Sequence, residues 1–63
     1  MFLKEKRISR NLTMRQVSDS CGISEGFYSM IENGDRRPSV ETAKKIAAVL
    51  GFDWTMFFPD KEE

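Results

Sequence analysis

The chain has no histidine, one cysteine, two prolines and a formal net charge of zero over 63 residues. Each shortage excludes something. A lone Cys21 rules out a disulfide within the chain. Without histidine, no Cys/His zinc site can form. No apolar run approaches the roughly 20 residues of a transmembrane helix. No secretory apolar stretch is visible either, and with the single thiol this points to the cytoplasm. Ten bases are matched by ten acids, which argues against indiscriminate binding to nucleic acid. The groups of an enzyme are missing too. No nucleophile has a nearby base, no residues cluster as metal ligands, and no glycine loop is placed to cradle a phosphate.

A chain this short makes one domain, expected over residues 1–59, with a charged and disordered tail at 60–63. The tail holds three acids and one base, so the rest carries nine bases against seven acids. That body is mildly positive. A domain of this size buries only about 60% of its unfolded surface. With disulfides and zinc excluded, a second subunit is the remaining aid to stability.

The elements that are present all read as short helices. The first spans Phe2 to Arg10, and Asn11 breaks it. Thr13 with Gln16 three residues on forms a capping box, and Leu12 with Val17 a hydrophobic staple. That second helix runs to Cys21, where Gly22 supplies a left-handed stop. Ser24 caps the third helix, with Ile23 placed to staple onto Tyr28, and Asn33-Gly34 ends it. Ser39 caps the fourth, in which Val40, Ala43, Ile46, Ala47 and Leu50 recur at helical spacing. Gly51 ends it. Asp53 caps a last helix, Trp54 to Phe58, with Phe52 stapled onto Phe57 and Pro59 closing the ordered part. Trp54, Phe57 and Phe58 share one face and read as core, with Met56 pointing away. No strand pattern appears.

Only Gly22 and Ile23 separate the second helix from the cap of the third. That is the anatomy of a helix-turn-helix. The segments "LTMRQVSDSCGIS", "IENGDRRPS" and "AKKIAAVLGFDW" sharpen it. The chain resembles the phage repressor and Cro-like helix-turn-helix family (xenobiotic-response-element type) of bacterial and phage transcription regulators. The likeness covers residues 3 to 58. It implies an all-α fold, a compact five-helix lambda-repressor-like domain in which the third helix enters the DNA major groove.

Site residues follow from the resemblance one by one. Those matching Glu25, Gly26, Ser29 and Met30 approach base edges. Asn33, the loop with Arg36 and Arg37, and the start of the second helix near Met14 and Arg15 approach phosphate. Arg7 falls where an arginine pairs with the glutamate of the IENG motif, here Glu32. Cys21 falls at an aliphatic core position, as do Leu12, Val17, Ile31, Ile46 and Leu50. Family members usually carry Arg, Gln, Ser or Lys on the reading face, and Gln where Met14 stands.

Periodicity selects the same outer face independently. At about 100° per residue, Ser24, Phe27, Tyr28 and Ile31 share one side. Glu25, Gly26, Ser29, Met30 and Asn33 lie on the other. Met14 stays open between core and phosphate. Glu25 either accepts from cytosine N4 or sits in the first turn to meet the helix dipole. Gly26 either admits close approach of DNA or is neutral drift. Further phosphate candidates are Lys4, Lys6 and Arg10, while Lys44 and Lys45 read as solvated.

The expected partner is double-stranded DNA, bound by a homodimer on a (pseudo)palindromic operator with half-sites about one helical turn apart. Met56 is nominated for the dimer surface with the fourth and fifth helices. The expected role is a repressor, cytoplasmic and bacterial or phage-encoded, with no cofactor, membrane or small-molecule ligand. The other reading is a protein-interaction module, an antagonist or antitoxin-type partner using the same fold without DNA.

Overall fold

The computed structural model describes residues 2–58. Pro59 and the 60–63 tail lie outside the described residues. Four α-helices follow one another: α1 Phe2–Ser9, α2 Met14–Cys21, α3 Glu25–Asn33 and α4 Val40–Leu50. A 3-10 turn, Trp54–Phe57, replaces the expected fifth helix. The fold is all-α, and no strand occurs among the described residues. Asp53 caps that last turn by accepting from the Thr55 amide at 3.0 Å, two residues on. Four residues cannot carry a full α-helical ladder, so the tighter i→i+3 pattern suffices.

The local signals act as their chemistry requires. The Thr13 hydroxyl accepts from the Gln16 amide (3.1 Å), and the Gln16 side chain accepts from the Thr13 amide (2.8 Å). Ser24 caps α3 through the Phe27 amide (3.0 Å), and Ser39 caps α4 through the Thr42 amide (3.2 Å). Asn11, at φ 58, takes the left-handed conformation that breaks the chain after α1. Gly22, at φ 72, lets the Ile23 amide fold back to the Ser18 carbonyl at 3.0 Å. That closure makes the α2–α3 turn short and steep.

Leu3, Val17, Cys21, Tyr28, Ile31, Ile46 and Leu50 form the buried core. Burial raises the pKa of the Cys21 thiol, opposed by the charge of Lys45, so this residue acts as a small hydrophobe. Two expectations about burial change. Val40 is 49% exposed although Ala43, three residues on, is fully buried. Trp54 and Phe58 are half-buried and stand outside the core cluster, while Phe57 packs against it. The Phe52 and Phe57 rings meet at 5.5 Å, and Phe2 joins both at 5.3 and 5.7 Å.

Tyr28 is the largest fully buried side chain, and its hydroxyl has no hydrogen-bond partner of good geometry. Burial, then the charge of Glu32, pushes its pKa from 10.0 up to about 12, with Arg7 opposing. The folded protein thus keeps a proton that the unfolded chain loses first. The stability this gives is intact below pH 10 and falls as pH rises toward 12. The wild type should lose roughly 2 kcal/mol more than Tyr28→Phe across that window. At neutral pH, Tyr28→Phe should be close to neutral, since no hydrogen bond is broken. Urea unfolding at stepped pH measures both; parallel profiles for the two proteins would mean an ordinary tyrosine.

Candidate nucleic-acid interface

α3 is held from beneath. Arg7 of α1 donates from Nε to Glu32 Oε1 (3.2 Å) and from Nη2 to Glu32 Oε2 (3.0 Å). Its Nη1 donates to the Leu12 carbonyl (2.9 Å) just before α2. One guanidinium therefore ties α1, the entry of α2 and the end of α3. The two side chains are 12% and 5% exposed. The hydrogen bond to Glu32, opposed by burial, raises the Arg7 pKa. α2 packs on both α3 and α4.

With Tyr28, Ile31 and Glu32 turned inward, the opposite face of α3 is left to solvent. Glu25, Gly26 and Asn33 are exposed, Met30 is 38% exposed, and Ser29 is half-buried. The side chains of Glu25, Ser29, Met30 and Asn33 make no hydrogen bond or ion pair with another described residue. A Cβ added to Gly26 would meet nothing within 4 Å. Nothing inside the domain therefore requires a glycine there.

The cations sort into two groups. Arg36 and Arg37 are exposed in the loop after Gly34, where the Asp35 and Arg36 amides both donate to the Met30 carbonyl (2.8 and 3.2 Å). Buried Pro38 anchors that loop. Arg15 is exposed at the start of α2, 3.8 Å from Asp19 in an i,i+4 pair. Such a pair is worth about 0.3–0.5 kcal/mol, too little to hold Arg15 from another anion. Met14 packs against the core, so the phosphate assignment falls to its side chain's neighbours and to the helix end. Lys4 is exposed.

The other cations meet a carbonyl, a ring or a carboxylate of the domain, as Arg37 also meets the Phe58 ring at 5.8 Å. Arg10, a phosphate candidate by sequence, donates from Nε to the Leu50 carbonyl at 2.8 Å and so caps α4. Its guanidinium fills the space a Cβ at Gly51 would need. Lys6 lies 5.7 Å from the Phe52 ring centre and Lys44 5.3 Å from that of Trp54. Lys45 sits 3.7 Å from Glu41. That i,i+4 pair is as exposed as the one Arg15 makes, and Lys44 and Lys45 both stand at the surface, where the sequence reads them as solvated. Met56 is 43% exposed.

The helix-turn-helix family profile matches residues 3–57. The chain belongs to the helix-turn-helix family of phage repressor and Cro type. This is a family of transcriptional regulators, not of enzymes. It is 48% identical over 59 residues to the HTH-type transcriptional regulator YqaF of Bacillus subtilis, covering 94% of this chain and 78% of that one. It is 36% identical over 61 residues to the transcriptional regulator ClgR of Mycobacterium tuberculosis, and 27% over 60 to the cryptic phage CTXphi transcriptional repressor RstR of Vibrio cholerae. Those two alignments cover 97% and 95% of this chain, which spans 54% of each relative. No solved structure gave a significant match.

Within the helix-turn-helix frame, α3 is the second helix of the motif, and its exposed face is the one the periodicity selects. The capping role of Arg10, and the burial of Ser18 and Pro38, are what the sequence reading passed over. Ser18 is buried with its hydroxyl donating to the Arg15 carbonyl at 3.0 Å, and a polar residue satisfied by its own helix leaves no outward signal. No described helix is long and apolar enough to cross a membrane.

Proposed function

We propose that the chain is a sequence-specific repressor that lays α3 in the DNA major groove and binds a (pseudo)palindromic operator as a homodimer. The observation that carries this reading is the outer face of α3. Its side chains make no hydrogen bond or ion pair with another described residue, and the exposed Arg36 and Arg37 follow directly after its stop. Phosphate contacts would come from Arg15, Asn33, Arg36, Arg37 and the amino end of α2 near Met14. Glu25, Gly26, Ser29 and Met30 would face base edges. Glu25 accepts from cytosine N4, and Met30 meets a thymine methyl. With so few polar base contacts, sequence-dependent DNA shape carries part of the specificity. A monomer would bind weakly, and two chains on half-sites about one helical turn apart double the contact. Met56 is the proposed dimer contact, and the cytoplasm the proposed location.

Selection of bound DNA from a random duplex pool at moderate salt tests the whole reading. An enriched inverted repeat is expected, with sedimentation showing two chains per site. A single chain saturating the site would remove the dimer. The zero net charge and the exposed acid Glu25 favour a second reading, an interaction module with a protein partner. Enrichment of no sequence, with retention of a protein partner, would replace the first reading with this one.

Gly26 gives a sharper local test. Alanine at this site fits the free domain and gains up to roughly 1 kcal/mol of helix propensity. Gly26→Ala should therefore be more stable and yet bind duplex more weakly, because the added methyl meets the DNA. Melting temperature and binding isotherms measured on one preparation decide it. A more stable variant with undiminished affinity would show that DNA does not approach this residue closely.

A further inference from the structure

Two adjacent arginines occupy the loop after α3, and they differ in one respect. The Arg37 guanidinium carbon lies 5.8 Å from the centre of the Phe58 ring. Arg36 has no side-chain partner among the described residues. Both ends of the Arg37–Phe58 contact are held. On the loop side, buried Pro38 and the amides converging on the Met30 carbonyl fix the backbone. On the other side, the Phe58 amide donates to the Thr55 carbonyl at 2.9 Å. The Phe58 ring lies 6.0 Å from that of Trp54 and 6.3 Å from that of Phe57, and the 3-10 turn packs on α4.

A guanidinium drawn over the face of an aromatic ring keeps the N–H groups that point away from the ring free to donate. Its charge is undiminished, but its rotamers are fewer. A long side chain already held loses less freedom when it closes on a ligand. We propose that Phe58 is a positioning residue for DNA binding, its ring face holding the Arg37 guanidinium so that N–H groups turned away from the ring meet a backbone phosphate of duplex DNA. The proposal rests on the DNA-binding reading above and deepens it. It links the aromatic turn at the end of the domain to affinity for DNA.

The test uses the full chain and a short duplex of mixed sequence at low salt, read by fluorescence anisotropy, with a melting temperature for every variant. Phe58→Leu keeps the apolar bulk and removes the π face. It should weaken binding about two- to fivefold, with the salt slope unchanged because no charge is removed. Phe58→Tyr should bind like the wild type. In an Arg37→Ala background Phe58→Leu should have no further effect, whereas in an Arg36→Ala background its full effect should remain. An equal weakening in both backgrounds would make Phe58 merely structural and overturn the proposal. Undiminished binding by Phe58→Leu, where Arg37→Ala binds weakly, would overturn it as well. Tighter binding would do the same, since the ring would then be withholding Arg37. If neither Arg36→Ala nor Arg37→Ala changes binding, the DNA-binding reading of this loop fails first, and the role of Phe58 with it.

Discussion

Replacing Arg7 or Glu32 singly by Met is expected to remove a large part of the domain's stability, on the order of 3–5 kcal/mol. Each side chain is nearly buried, at 12% and 5% exposure. Removing one leaves the other as an uncompensated charge, at a cost on the order of 3–5 kcal/mol. At typical stabilities per residue, a domain of this length holds on the order of 3–9 kcal/mol in all. The destabilisation by Arg7→Met should be the larger, because the Leu12 carbonyl is also deprived of its donor. The double variant should recover much of the stability, since two methionines pack where two charges were paired. Urea unfolding of the four proteins forms a double-mutant cycle. A coupling near zero would make both residues ordinary surface charges. The functional consequence is indirect. Arg7 sets the height of α3 against α1 and the entry of α2, so a misplaced α3 cannot present its face.

Changing both Arg36 and Arg37 to Ala should weaken binding to operator and random DNA alike and flatten the salt slope by about two units. Both are exposed just beyond the stop of α3, where a contact with phosphate positions the protein without selecting sequence. The counterions released by two phosphates are what the slope counts. Ser29→Ala or Met30→Ala should behave in the opposite way. The slope should stay nearly unchanged, and the gap between operator and random DNA should shrink by roughly 1–3 kcal/mol when a side chain no longer reaches its base. Isotherms at several salt concentrations on both duplexes separate the two behaviours. A change in specificity from the arginine pair, or in slope from Ser29, would reverse the assignment of the two surfaces.

The four α-helices, their order and, to within a residue, their ends are legible along the chain, whereas the expected fifth helix is a 3-10 turn. Each cap needs only a hydroxyl or carboxylate and an amide two or three residues later, as Thr13 with Gln16 and Ser24 with Phe27 show. Each stop needs only a residue that tolerates positive φ, as Asn11 and Gly22 do. These requirements are met within one turn, so they can be read along the chain. The outward face of α3 is legible for the same reason, since helical periodicity places Tyr28 and Ile31 on the side opposite Glu25 and Ser29. The pairing of Arg7 with Glu32 spans 25 positions, and family resemblance, not spacing, brought it into view.

Which cations the domain uses internally depends on contacts between distant elements. By composition Arg10 has the same claim on a phosphate as Arg36, yet the fold brings the Leu50 carbonyl, 40 positions away, to its Nε. Lys6, Lys44 and Arg37 face aromatic rings that belong to the last turn or the residues flanking it. Val40 follows the helical pattern of Ala43 and Ile46 but stays exposed, while Ala43 in the same first turn of α4 is fully buried. A contact between distant elements depends on where both are placed at once, and no property of either residue alone encodes that.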